Sequence, residues 1–268
     1  IMWLHRSALL MLTLAMISAP FAVTAAQDGY ALSVLTLIAK PPQGMRYPEA
    51  VETEIFRNLN KLRKRKRLRQ LDDREGLQLA ARAHSLRMLR DDFFAHEDPD
   101  GRGAGHRIAA TDRTGLFRTV GENLAKISPV LPDLAERLHD GWVDSPGHYK
   151  NMIGKGFTHV GIGCAQFKRE TACTQVFGGL AGTLDRAVPL TLRRGQSFEL
   201  SAEIGNLTYY GWELTDSNDK TKAESESPTL KAPRGLRGEF QLRLLGRSVV
   251  VKQRYTIYSF FGPTTVLE

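Results

Sequence analysis

Ser145 and His148, with Asp144 beside them, are the residue types of a nucleophile, a general base and its orienting carboxylate. All three lie within five residues and no Gly-x-Ser-x-Gly turn is present, whereas triad members converge from separate elements. A serine hydrolase is therefore not indicated. His96-Glu97 lacks a second histidine four residues after the first, which removes the helical zinc-protease signature. The glycines of Gly101-Arg102-Gly103-Ala104-Gly105 follow no strand and lack the Lys-Ser/Thr pair of a phosphate cradle.

Cys164 and Cys173 are the only cysteines, and they flank two short strand-like runs around Lys168-Arg169. Residues equidistant from a two-residue turn oppose each other across a hairpin, and a non-hydrogen-bonded pair brings its Cα atoms to about 4.5 Å, within disulfide range. The spacing predicts a Cys164–Cys173 bridge, worth about 2–3 kcal/mol for so short a loop. Oxidised cysteines are not nucleophiles, so a cysteine protease is not indicated either.

The elements that must position these groups follow from pattern. The 268 residues are 42% hydrophobic and 25% charged, a globular composition with room for two modest domains. His5 and Arg6 precede an apolar run, Ala8 to Val23, that ends in Thr24-Ala25-Ala26, so residues 1–26 read as a secretory signal peptide. Residues 27–46, with Pro41-Pro42, read as a linker or strap. From Pro48, Val51, Ile55, Leu59 and Leu62 predict an amphipathic helix that runs into the cations Lys61 to Arg69. Asp73 to about Arg90 predicts a second helix, in which His84 reads as a packing residue. After a glycine-rich loop, His96 to Gly105, and a short helical turn, Pro132 to Trp142 predicts a third long helix with Trp142 in the core. Ser145-Pro146 starts another, as N-cap and first helical residue. Thr158 to Phe167 and Thr171 to Phe177 read as strands. From Leu184 onward, alternation such as Phe198, Leu200, Ala202, Ile204 predicts five or six short antiparallel strands. The expected class is α+β, with helices largely preceding strands.

Taken in order, Phe94-Ala95-His96, Gly121-Glu122-Asn123-Leu124-Ala125, Trp142 with Ser145-Pro146-Gly147-His148 and Asn151, and Thr174-Gln175-Val176-Phe177 closely resemble bacterial members of the CAP superfamily, the sperm-coating-protein-like or cysteine-rich secretory protein domains. Asp98-Pro99-Asp100-Gly101-Arg102 and Arg107 fit the same pattern. The resemblance implies a CAP-like α-β-α sandwich over residues 47–182, followed by a small all-β, sandwich-like domain over 183–268. It also implies a polar cavity of histidines and acidic residues, which in some members binds a divalent metal. His96 and Glu122 match the first cavity histidine and the cavity glutamate, but Ser145 and Ala172 stand where animal and plant relatives carry a glutamate and a histidine. His148, one turn beyond Ser145, shares its face and could fill that space. His96, Glu122 and His148 would then offer two imidazoles and a carboxylate, a set compatible with Zn²⁺ or another divalent cation. Against this stand a Glu122 that serves only the Gly-Glu-Asn loop, a His148 bonded to a neighbouring loop, and a His96 facing solvent.

The reading that follows is an exported, non-enzymatic binding or envelope-interaction module, periplasmic or extracellular, with no membrane span after signal cleavage. The rival is a metal-assisted hydrolase with Glu122 as general base. A third reading uses the basic run and the net charge of +8 to attract an anionic envelope polymer or lipid head groups, and the resemblance separately implies lipid or sterol carriage, as in parts of the superfamily. Export and the lack of an aromatic-basic motif argue against nucleic acid as the partner.

Overall fold

The computed structural model describes residues 29–129, 132–250 and 254–268, so the signal-peptide reading of residues 1–26 lies outside the described residues. Six helices precede or flank the central strands: α1 (Tyr30–Ala39), α2 (Glu49–Arg65), α3 (Glu75–Arg90), α4 (Ala104–Thr111), α5 (Leu134–Val143) and α6 (Pro146–Met152). The strands of this part are β1 (Met45–Arg46), β2 (Asp72–Asp73), β3 (Gly115–Ile127), β4 (His159–Phe167) and β5 (Glu170–Leu184). Helix α2 forms where Glu49 and Glu52 sit in its first turn and Arg63, Lys64 and Arg65 in its last, which suits the macrodipole at both ends. Its apolar stripe, Ile55, Leu59 and Leu62, is buried.

Strands β4, β5 and β3 lie side by side in antiparallel register, and period-2 alternation divides their side chains between two helical layers. Val160, Ile162, Cys164, Cys173 and Phe177 face α2 and α5, where Trp142 fills the centre. On the other face Gly161 and Gly163 admit the backbone of α3 so closely that a Cβ at either would fall inside the van der Waals shell of Leu77 and Gln78 or of Ala81 and Arg82. Cys164 and Cys173 are register partners and are disulfide-bonded, with Cα atoms 4.1 Å apart, as their symmetry about the turn predicts. Glu52, 3% exposed, accepts the Cys164 backbone N–H at 2.8 Å and pairs with Arg82 at 2.5 Å, tying α2 to both β4 and α3.

The C-terminal strands are β6 (Thr191–Leu192), β7 (Ser197–Glu199), β8 (Ala202–Glu203), β9 (Thr208–Thr215), β10 (Thr221–Ser225), β11 (Thr229–Lys231), β12 (Gly238–Arg247) and β13 (Ile257–Leu267). Around Leu214, Leu242, Leu244 and Phe260 they bury a second core. Strand β13 meets β3 at Phe261 and Phe117, so the order β4-β5-β3-β13-β12-β9-β10 runs through both cores in one sheet. Half-buried Arg113 stitches the junction, donating to the carbonyls of Val188 and Thr264 at 2.7 Å each. The fold is α+β: a CAP-like sandwich followed by a β-rich region.

Two local expectations change. The strap over 27–46 contains α1, whose Tyr30, Val34 and Ile38 bury against Ala83 and Ala110. Glu122 lies not in a loop but mid-way along the 13-residue strand β3.

Candidate functional site

The site begins with a buried charge. Arg107, on the short helix α4, is fully buried, and one guanidinium nitrogen, Nη2, donates to Glu122 Oε2 at 2.6 Å and to the His96 carbonyl at 3.1 Å. The other, Nη1, donates to the Arg102 carbonyl at 2.7 Å. One side chain therefore neutralises the β3 carboxylate and clasps the loop that carries His96. Asp98 shapes that loop by accepting the backbone N–H groups of Asp100 and Arg102, and Arg87 holds Asp98 at 2.5 Å. His96 Nδ1 then lies 2.9 Å from the remaining oxygen, Glu122 Oε1.

Burial alone would raise the pKa of Glu122, but the His96 hydrogen bond and the Arg107 charge outweigh it and hold the carboxyl below its ordinary range. The same bond lifts His96 above the usual imidazole value against some desolvation. His84, sealed beneath them with Nε2 against the Ala95 carbonyl at 2.9 Å, is pushed down to about 4 by burial and by Arg107. His148 is lowered by partial burial and by the charge of His96 nearby. In an NMR pH titration His96 is expected to have its midpoint above 6.5 and to return toward that value in Glu122→Gln, while His84 stays neutral down to about pH 4. Folding linkage has the matching sign. A raised His96 stabilises fully below about pH 6.5 and loses that contribution as pH climbs through its folded value, whereas a depressed Glu122 contributes above about pH 4.5 and loses it on acidification. An unshifted His96 would contradict the pair.

On the opposite face of β3 the motif residues cross-link. Asn123, fully buried, donates to Gln175 Oε1 at 2.9 Å and to the His148 carbonyl at 3.1 Å. Asn151 donates to Asn123 Oδ1 at 2.9 Å and to the Glu122 carbonyl at 3.1 Å. These amides lock α6 onto β3, and Trp142 Nε1 adds α5 through the Leu124 carbonyl at 3.0 Å. The polar residues are thus scaffold, and the imidazoles are what they present.

The family model for the cysteine-rich secretory protein family, CAP, matches residues 56–177. Residues 56–177 form a CAP domain. Over 115 residues, 42% of this chain, it is 31% identical to the uncharacterized protein YkwD of Bacillus subtilis (strain 168). The match spans 42% of that relative, less than half its length. Among solved structures, an outer surface protein from Borrelia burgdorferi aligns with a TM-score of 0.45 at 19% identity, covering 51% of this chain and 97% of that one. An extracellular protein containing a SCP domain from Bacillus anthracis str. Ames aligns with a TM-score of 0.42 at 28% identity, covering 48% and 40%.

Within this CAP domain the structure brings His96 and Glu122 into contact and sets His148 close enough to feel the His96 charge. It does not build a ligand cage: among the described residues no three His, Cys, Asp or Glu side chains converge in a way that could hold a metal ion. The donor set does not fit a divalent cation, because Glu122 already carries Arg107 on one oxygen and His96 on the other. Nor is the group a closed hollow, since the His96 side chain is 61% exposed. Arg107 is the partner that residue spacing missed; its signal was an arginine set among Ile108, Ala109 and Ala110, a position that only a paired guanidinium tolerates.

Proposed function

We propose that this chain is an exported envelope-binding module whose CAP domain presents His96 and His148 on an open polar shelf, and that it works without turning substrate over. The reading rests on one observation: both oxygens of Glu122 are committed, Oε1 to His96 and Oε2 to Arg107. A general base needs a free oxygen and a proton affinity raised toward the working pH, and this carboxylate has neither. His96, oriented through Nδ1 by Glu122, is left with Nε2 for an outside acceptor or donor. The disulfide supports an oxidising compartment, and no described helix is long and apolar enough to cross a membrane.

The basic run contributes less than its composition suggests. Arg63 is 1% exposed and donates to the carbonyls of Arg69, Met152 and Gly154 at 2.8–3.0 Å, while Lys61 pairs with Glu54 and Arg69 with Asp72. Polymer binding is better tested at the shelf. Protein without a histidine tag, His96→Ala/His148→Ala and Glu122→Gln are compared for co-sedimentation with an isolated anionic wall polysaccharide and for hydrolysis of ester, amide and phosphodiester panels with and without Zn²⁺. Salt-sensitive retention lost in the double histidine variant, with no turnover in any protein, is the expected outcome. Turnover that disappears in Glu122→Gln, or stoichiometric Zn²⁺, would establish the hydrolase instead.

A further inference from the structure

Where the start of α1, the Asp98 loop and α4 meet the turn after β9 and strands β12 and β13, the molecule holds a cleft of about 400 Å³. None of His96, Glu122 and His148 lines it, so it is not the histidine shelf. Its volume is in the range of small-molecule sites, which favour junctions between structural units.

The CAP side of the cleft carries an arginine set in place. The Arg102 backbone is fixed, since Asp98 accepts its N–H at 2.9 Å and Arg107 donates to its carbonyl at 2.7 Å. Its guanidinium lies over the Tyr30 ring, 4.1 Å from the centroid. Among the described residues its one side-chain hydrogen bond is from Nη1 to exposed Asp100, at 3.3 Å. A guanidinium laid on a ring keeps its other N–H groups available in its own plane, as a fork shaped for a carboxylate. Half-buried His106, from the first turn of α4, lines the same cleft and makes no side-chain hydrogen bond among the described residues.

Across the cleft the acids are already engaged. Glu239 caps α1 with both oxygens, while Asp216 accepts the N–H groups of Asn218 and Lys220 in its own turn and pairs with Lys222 at 2.9 Å. Their negative charge opposes a ligand that brings more than one of its own. The unpartnered groups on this side are neutral, namely the Ser217 hydroxyl and Gln241 Oε1. Buried Phe240 and Val266 supply apolar wall.

We propose that this cleft binds a small monocarboxylate with a compact polar body, an acid sugar or the carboxyl end of a short peptide. Arg102 and His106 take the carboxylate, and Ser217 and Gln241 take hydroxyl or amide groups of the body. The cleft is separate from the shelf and binds its ligand whether or not the shelf holds one.

The test is calorimetric titration of the full chain with glucuronate, N-acetylalanine, glucose and glucose 6-phosphate, beside amide NMR shifts at His106 and Gly238. A carboxylate is expected to bind with a Kd of about 1 mM and to move both amides, and glucose and the dianionic phosphate to bind at least roughly tenfold more weakly. Glucuronate alone would identify an acid sugar, N-acetylalanine alone a peptide terminus, and either supports the site. Arg102→Gln is expected to weaken binding at least about tenfold, and Ser217→Trp, a change on a solvated turn that fills the mouth, by a similar factor. Unchanged circular dichroism and melting temperature in these variants separate lost binding from lost folding. No binding of either carboxylate at about 10 mM, binding of glucose or the phosphate as tight as that of the carboxylates, or wild-type affinity in both variants would each overturn the proposal. His96→Ala/His148→Ala leaves the cleft intact and binds as wild type, so failure of the shelf reading and failure of this one are distinguishable.

Discussion

Arg107→Ala is expected to lose about 3–5 kcal/mol of stability in urea denaturation at neutral pH. The arginine is fully buried and Glu122 is 8% exposed, so truncation strands a carboxylate in the interior without its counter-charge. It also releases the carbonyls of His96 and Arg102, and with them the loop that Asp98 shapes. Removing both charges should be milder than removing one, because a buried pair is worth far less than the penalty of leaving half of it. Arg107→Met/Glu122→Gln is accordingly expected to recover a large part of the loss while His96 titrates near its ordinary value. A cost below about 1 kcal/mol for Arg107→Ala would mean that Glu122 reaches solvent or takes up a proton, and the pair would not be the keystone of the site.

Gly163→Ala is expected to be the second most damaging change, at about 3 kcal/mol, the upper end for overpacking. The added methyl would overlap the backbone at Ala81 and Arg82, and backbone cannot rotate away as a side-chain tip can. Helix α3 would have to lift from β4, breaking the Ser85 Oγ bond to the Gly163 carbonyl at 2.8 Å and disturbing the disulfide strand on its other face. Gly101→Ala is the control. That glycine has φ of +76° with nothing within 4 Å of the new carbon, so only the left-handed backbone cost of about 1 kcal/mol applies. Equal melting temperatures for the two variants would show that α3 yields and that the close approach is not required.

Much of the fold was legible because its signals are local. Val51, Ile55, Leu59 and Leu62 gave α2 by spacing, Ser145-Pro146 marked the start of α6, and the symmetry of Cys164 and Cys173 about Lys168-Arg169 gave the bridge. Helix α1 was hidden by Val34, Thr36 and Ile38, which suit strands as well as helices, and by Pro41-Pro42, which draws the eye to a break. Strand β3 was hidden for a different reason. Gly121, Glu122 and Asn123 have the composition of a loop, and they are tolerated in a buried strand only because Arg107, Gln175 and Asn151 satisfy them from distant parts of the chain. The site shows the same division. The resemblance named His96, Glu122 and Arg107 but gave Arg107 no role, and no spacing rule pairs residues 107 and 122 across a helix and a strand.

Glu239, on β12, accepts the backbone N–H of Tyr30 at 3.2 Å and of Ala31 at 3.4 Å, so helix α1 borrows its N-terminal cap from a residue 209 positions later. A chain synthesised from its N-terminus therefore cannot cap α1 in this way until residue 239 has been made. Until strand β12 arrives, the first backbone N–H groups of α1 have only water to satisfy them, so the start of the chain is completed by one of its last strands.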